Sequence, residues 1–150
     1  MRAPFQVLVF PYELTNGGSI RYAVFRRSDM RACWQGIAGG GEGGESPGEA
    51  AARETFEEAG ISGASFVRLD SCAMLPVEKV CGYLWGPEVR AIPEYCFGVK
   101  VNSAAIKLSR EHDEFLWLDY DGALRKLTWE SNRNALRELH LRLSSGLKRR

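Results

Sequence analysis

The 150-residue chain has only two histidines, His112 and His140, and its four cysteines, Cys33, Cys72, Cys81 and Cys96, include no C-x-x-C pair. Zinc sites need such ligands clustered at short spacing, which argues against a zinc-dependent role. With no other sign of an oxidising compartment, the cysteines read as reduced thiols in a cytoplasmic protein. An excess of charge of one sign is also missing: 20 Lys and Arg stand against 19 Asp and Glu, for a net charge of +1. That balance leaves no electrostatic footprint for nucleic acid or an anionic membrane. No apolar run is long enough to span a bilayer, and Pro4, Gln6 and Pro11 break up the apolar start in a way that argues against a signal peptide. Apolar residues make up 45% and charged residues 26%, the profile of one domain over residues 1–150 with room for a core.

Glycine, by contrast, is concentrated. Gly39, Gly40, Gly41, Gly43 and Gly44 read as a glycine-rich turn or loop ahead of a segment with both helix signals. Ser46 with Glu49 forms a capping box, Pro47 occupies the first helical position, and Gly60 is the expected left-handed stop. Within this helix Glu54, Glu57 and Glu58 stand at i, i+3 and i+4 and share a face. Ala52, Phe56 and Ala59 fall opposite and are expected to pack on a sheet. Like charges at this spacing repel. A solvated acidic face is one reading, with Arg53 pairing one glutamate. The other is a hard divalent cation with oxygen ligands, Mg²⁺ being usual where phosphate is the co-ligand. The glycines favour the second reading, because a backbone that must approach a metal or a phosphate needs them and a solvated helix does not.

Gly39, five residues, Glu45, seven residues, then Arg53-Glu54-Thr55-Phe56-Glu57-Glu58-Ala59-Gly60-Ile61 resembles the Nudix box, G-x5-E-x7-R-E-U-x-E-E-x-G-U with U a bulky aliphatic. Thr55 at the first U is the one departure, and it bears on packing rather than chemistry. Trp34-Gln35-Gly36-Ile37-Ala38-Gly39 resembles the approach to the box in the bacterial dihydroneopterin triphosphate and dATP pyrophosphohydrolase branch, with Ala38 where many relatives carry proline. Ser109-Arg110-Glu111-His112 with Trp117-Leu118 resembles a segment shared by that branch and the diadenosine tetraphosphate hydrolases, and Ser131-Asn132-Arg133 favours the former.

The resemblance implies an α+β fold, an α/β/α sandwich with a mixed sheet between helices. It also implies Mg²⁺, with Mn²⁺ as a substitute, held by Glu54, Glu57, Glu58, the Gly39 carbonyl and Glu111, a carboxylate brought in from a distant loop. Arg53 would orient the glutamates, Glu45 would hold the helix start or pair with Arg53 in a supporting role, and the general base would be Glu54 or Glu111. Arg2, Arg26, Ala38 and Ser131 are the substrate-side candidates. Arg26 and Arg27 end a strand near the glycines, where they could meet phosphate or be an ordinary charged strand end.

Elsewhere, Phe5–Phe10 and Tyr22–Arg27 read as strands joined through a turn at Thr15–Gly18. Ser65–Leu69, Tyr95–Val101 and Phe115–Leu118 read as further strands. Ser131–Leu143 carries Leu136, Leu139 and Leu143 at helical spacing. Trp34 and Trp117 read as core, and His112 as a structural hydrogen-bonding residue rather than a ligand. Tyr83, Trp85 and Tyr95 lie in a Gly- and Pro-punctuated region suited to a substrate platform. The function expected is a pyrophosphohydrolase acting on a small phosphorylated substrate, a nucleoside triphosphate or dihydroneopterin triphosphate. Dinucleoside polyphosphate hydrolysis and a catalytically silent ligand sensor are the alternatives, and the oligomeric state is left open.

Overall fold

The longest strand, β1 (Arg2–Leu14), is the spine of the molecule. A computed structural model describes residues 1–102 and 106–148. The remaining strands are β2 (Ile20–Arg27), β3 (Trp34–Gln35), β4 (Ile37–Glu42), β5 (Phe66–Pro76), β6 (Ala91–Lys100) and β7 (His112–Leu118); the helices are α1 (Pro47–Ala59), α2 (Tyr120–Lys126) and α3 (Glu130–Lys148). Together the strands form one seven-stranded mixed sheet. β1 runs parallel to β6 from Gln6 to Tyr12, and its other side is shared. Over Gln6–Val9 that side pairs antiparallel with β4, and over Tyr12–Leu14 with β2.

Alternation along β1 sends its side chains to two cores. Val7 and Val9 join Ile37, Ala50, Ala51, Ala59 and Phe97 beneath α1. Leu8 and Phe10 join Tyr22, Trp34, Leu136 and Leu139 beneath α2 and α3. Helices therefore cover both faces, which is the expected α/β/α sandwich. The hairpin of β1 and β2, the strands expected from Ser65, Tyr95 and Phe115, and the terminal helix are all present, β5 extending further than Leu69 and the helix beyond Leu143.

Two expectations need correction. Gly39, Gly40 and Gly41 are strand residues in β4, with Gly39 opposite Val7 and Gly40 opposite Gln6, and the turn before α1 is confined to Gly43 and Gly44. Antiparallel ladder bonds hold this stretch extended despite its glycines. The apolar face assigned to α1 is also wrong at two of its three positions: Phe56 is 59% exposed and Ala52 is exposed. The buried stripe is Ala50, Ala51, Glu54, Thr55, Glu58 and Ala59. Its small alanines let the helix axis come close to β4, and that close approach takes Glu54 and Glu58 inward with it. α2, which begins at the Asp119 cap, has no counterpart in the sequence reading.

Candidate active site

The capping box forms as expected, with Ser46 Oγ accepting from Glu49 N at 3.2 Å and Glu49 Oε1 accepting from Ser46 N at 2.9 Å. Gly60 closes the helix at φ 71°. With both ends fixed, the phase of α1 against β4 is fixed too. Gly39 then faces Glu54 so closely that a Cβ built on Gly39 would fall on the Glu54 carboxyl group.

Arg53 is the hub of the carboxylates. Its Nε donates to Glu45 Oε2 at 2.8 Å, and its terminal nitrogens donate to Glu45 Oε1 (3.0 Å), Glu54 Oε1 (3.0 Å), Glu57 Oε2 (3.2 Å) and the Gly40 carbonyl (2.9 Å). Of the two supporting roles open to it, Glu45 takes the pairing with Arg53, and its Oε1 also accepts from Glu42 N in the turn ahead of α1. The fork on Arg53 holds the Glu45 carboxyl below the usual carboxylate range.

Glu58, on the buried side, accepts from Ser109 Oγ at 2.9 Å. His112 Nδ1 lies 3.3 Å from Glu58 Oε2, near enough for an ion pair but misaligned for a hydrogen bond. His112 is buried and packs on Phe25 with ring centroids 5.3 Å apart, in keeping with a structural role. Glu111 stands beside this pair. Burial, and after it the neighbouring Glu58, pushes its carboxyl upward. Burial also pushes Glu54 up to about 7, with Arg53 opposing and Glu57 and Glu58 adding to the rise.

Glu54 and Glu111 are carboxyls raised by burial and by neighbouring glutamates, a crowding that a bound cation would relieve, and all the available donors are hard oxygens. The Gly39 cradle, which only glycine leaves open beside Glu54, fits the same purpose. Among the described residues no three acidic, histidine or cysteine side chains converge as a preformed ligand set. The hydrogen bonds give the reason: Arg53 draws Glu54 and Glu57 to one side, while Ser109 holds Glu58 on the other. The residues therefore fit a divalent ion, and seating one would require Glu54 to exchange an Arg53 hydrogen bond for the ion.

A cavity of about 830 Å³ opens here, a size suited to a small molecule. It brings together Gly39, Glu54 and Glu111 with three of the four substrate-side candidates, Arg2, Ala38 and Ser131. The fourth, Arg26, lies off the cavity. Its guanidinium is paired with Asp113 at 2.8 Å and Glu114 at 3.5 Å and sits over the Trp34 ring. Strand alternation puts neighbouring Arg27 on the other face, and Arg27 lines the cavity in its place.

The aromatic expectation also shifts. Trp34 is core as predicted. Tyr95 lies within β6, Tyr83 is exposed, and Trp85 donates from Nε1 to the Arg2 carbonyl at 2.9 Å. The large aromatic side chain that does line the cavity is Trp129, whose Nε1 donates to Gln35 Oε1 at 3.3 Å. Trp129 immediately precedes α3 and follows the Thr128 contact to Trp34, so the signal available in the sequence was its place just ahead of Ser131. Sequence reasoning also passed over Gln6 and Glu94, which face the cavity from neighbouring strands.

Residues 7–139 match the model of the NUDIX domain. A solved structure of a NUDIX hydrolase from Listeria monocytogenes is 37% identical, with a TM-score of 0.86 over 96% of this chain and 97% of that one. The E. coli dihydroneopterin triphosphate pyrophosphohydrolase is 25% identical, with a TM-score of 0.75 over 90% and 93%. The asymmetrical bis(5'-nucleosyl)-tetraphosphatase of Rattus norvegicus is 28% identical over 127 residues, covering 85% of this chain and 83% of that protein. An octanoyltransferase of Myxococcus xanthus is 35% identical over 115 residues, but the chain spans only 30% of its length. Nudix hydrolases generally use divalent metals and act on small phosphorylated substrates. With the family model matching most of its length and the capped, glutamate-bearing helix set against Gly39, this chain belongs to the Nudix hydrolase family.

Proposed function

We propose that the protein is a Mg²⁺-dependent pyrophosphohydrolase that cleaves a nucleoside triphosphate or dihydroneopterin triphosphate to the monophosphate and pyrophosphate. The observation that carries this reading is the lining: one cavity holds both the Glu54 and Glu111 carboxylates and, among the described residues, one large aromatic side chain, Trp129. A triphosphate has one ring system and one highly charged end. A dinucleoside polyphosphate has a base at each end and profits from two stacking platforms, each contributing about 1–3 kcal/mol by analogy with single-stranded nucleic-acid sites.

The ion, held by Glu54, Glu57, Glu58, Glu111 and the Gly39 carbonyl, would neutralise charge on the phosphoryl oxygens undergoing displacement. Arg53 keeps the glutamates oriented from behind, with Glu45 fixing Arg53 in turn. Lys79 and Arg110 line the cavity as cations for the phosphate chain, and Arg27 lines it with its guanidinium forked onto Asp29. Glu54, pushed up to about 7, and Glu111, also shifted upward, are the two candidates for the general base that takes a proton from the attacking water. Trp129, Ser131 and Ala38, which also line the cavity, are assigned to the ring of the substrate. The four cysteines are free, which fits a reducing cytoplasm, and no described helix is long and apolar enough to cross a membrane.

The test is hydrolysis of a panel containing dATP, dGTP, dihydroneopterin triphosphate and diadenosine tetraphosphate, scored for pyrophosphate against orthophosphate. Pyrophosphate release from a triphosphate is expected. The 28% identity with the rat tetraphosphatase supports the dinucleotide as the second reading. A kcat/KM for diadenosine tetraphosphate above that for every triphosphate would reverse the order.

A further inference from the structure

Glu94 is a buried acid that the chemistry above does not use. It sits on β6 opposite Gln6 of β1, which is itself opposite Gly40 of β4, so the three form one row across the sheet. Strand alternation places this row on the face that also carries Ala38, Leu8 and Cys96, whereas Gly39 and Glu54 belong to the face under α1. Glu94 therefore lies across the sheet from the carboxylate cluster, and it lines the cavity together with Ala38, Ser131 and Trp129.

Its hydrogen bonding is directional and incomplete. Arg2 donates to Gln6 Oε1 at 2.9 Å, which turns the Gln6 amide nitrogen toward Glu94, where Nε2 donates weakly to Oε2 at 3.4 Å. The second oxygen, Oε1, has no partner among the described residues although Glu94 is only 4% exposed. A buried acceptor left unmet is costly, and a structure retains one where a ligand supplies the donor. Burial raises the Glu94 carboxyl to about 7, Gln6 acting the other way, so incoming donors would draw it to the carboxylate form.

We propose that Glu94, held by Gln6 and Arg2, is the specificity residue for the ring of the substrate and reads an edge presenting two adjacent N–H donors, the 2-amino-4-oxo edge common to guanine and pterin rings. One donor satisfies Oε1 and the other shares Oε2. Adenine offers an N–H donor next to a bare ring nitrogen, and that lone pair would face a carboxylate oxygen. Between adenine and the guanine-like rings, the site thus selects the guanine-like ones. The inference rests on that reading for the identity of the phosphorylated end, but not for the ring contact itself.

Glu94→Gln tests it, because the amide keeps the size of the side chain while replacing one acceptor with a donor, the complement of an adenine edge. Wild type is expected to favour dGTP over dATP in kcat/KM, mainly through KM. The variant is expected to lower that ratio by roughly tenfold to a hundredfold. Calorimetric titration with dGMP and dAMP in the absence of metal reads the same selectivity without hydrolysis. Should no triphosphate be cleaved while dGMP still binds better to wild type and dAMP to the variant, the proposed reaction fails and the ring assignment stands. A dGMP to dAMP preference that is equal in the two proteins, or no binding of either nucleotide to wild type, overturns the assignment.

Discussion

Glu54, Glu57 and Glu58 are neighbours on one helix but have different surroundings. Glu57 is half exposed at 51% of its side chain, while Glu54 and Glu58 are buried and held by Arg53 and Ser109 respectively. Glu58→Gln retains an oxygen for the Ser109 hydroxyl, so the fold is expected to persist while kcat falls by orders of magnitude; near-normal turnover in a folded variant would remove Glu58 from the ligand set. Glu94 gives a pH prediction. Its carboxyl titrates near 7 in the fold against 4.5 when unfolded, so the folded state holds the extra proton between those values. Stability from this group is therefore fully present below about 4.5 and is lost as pH rises through 7. Glu94→Gln is expected to flatten that decline, so that the loss of stability between pH 5 and pH 8 is smaller in the variant than in wild type. Denaturant titrations of both proteins at pH 5 and pH 8 measure it, and an equal pH dependence would show that Glu94 is not the group responsible.

At the scale of the element, α1 shows what the sequence discloses and what it hides. Both caps and the register of the glutamates were legible, because caps and i, i+4 neighbours depend on residues a few positions apart; the pairing of Arg53 with Glu45, eight positions away, was one of two roles the family resemblance offered. The buried face was not. Helical periodicity could not show that alanines would be chosen over Phe56 for contact with β4, since that depends on how closely the helix must approach a strand distant in structure rather than in sequence. The same limit applies to Arg26 and Arg27, where one step along β2 decides which face meets the cavity, and to Glu94, whose row exists only once three strands are aligned. Thr55 supplies a test of the helix packing. It is fully buried and its Oγ1 has no hydrogen-bond partner among the described residues. Thr55→Val, similar in shape and free of that hydroxyl, is expected to raise stability by about 1 kcal/mol with kcat unchanged. A lower melting temperature would mean that the hydroxyl is satisfied after all.

Across the whole molecule, α3 links the core to the cavity. Leu139 is fully buried against the sheet, so close to Gly98 that a Cβ there would lie 2.6 Å from Leu139 Cδ1. At its other end the same helix presents Ser131 to the cavity, and buried Asn132 accepts from Gly36 N at 2.9 Å. Leu139→Ala is expected to cost about 2–5 kcal/mol of stability and, because Ser131 moves with the helix, to raise KM more than it lowers kcat; a KM equal to that of wild type would separate the two ends of the helix. β1 carries a consequence for how the protein is made. Over Gln6–Val9 this strand needs β4 on one side and β6 on the other, and Gln6 and Glu94 are 88 residues apart. During synthesis the first strand therefore emerges long before its parallel neighbour, and the hairpin with β2 must wait with one apolar edge bare. Nascent chains released before β6 has left the ribosome are expected to be protease-sensitive and prone to aggregate, and those released after it to gain protection in a single step.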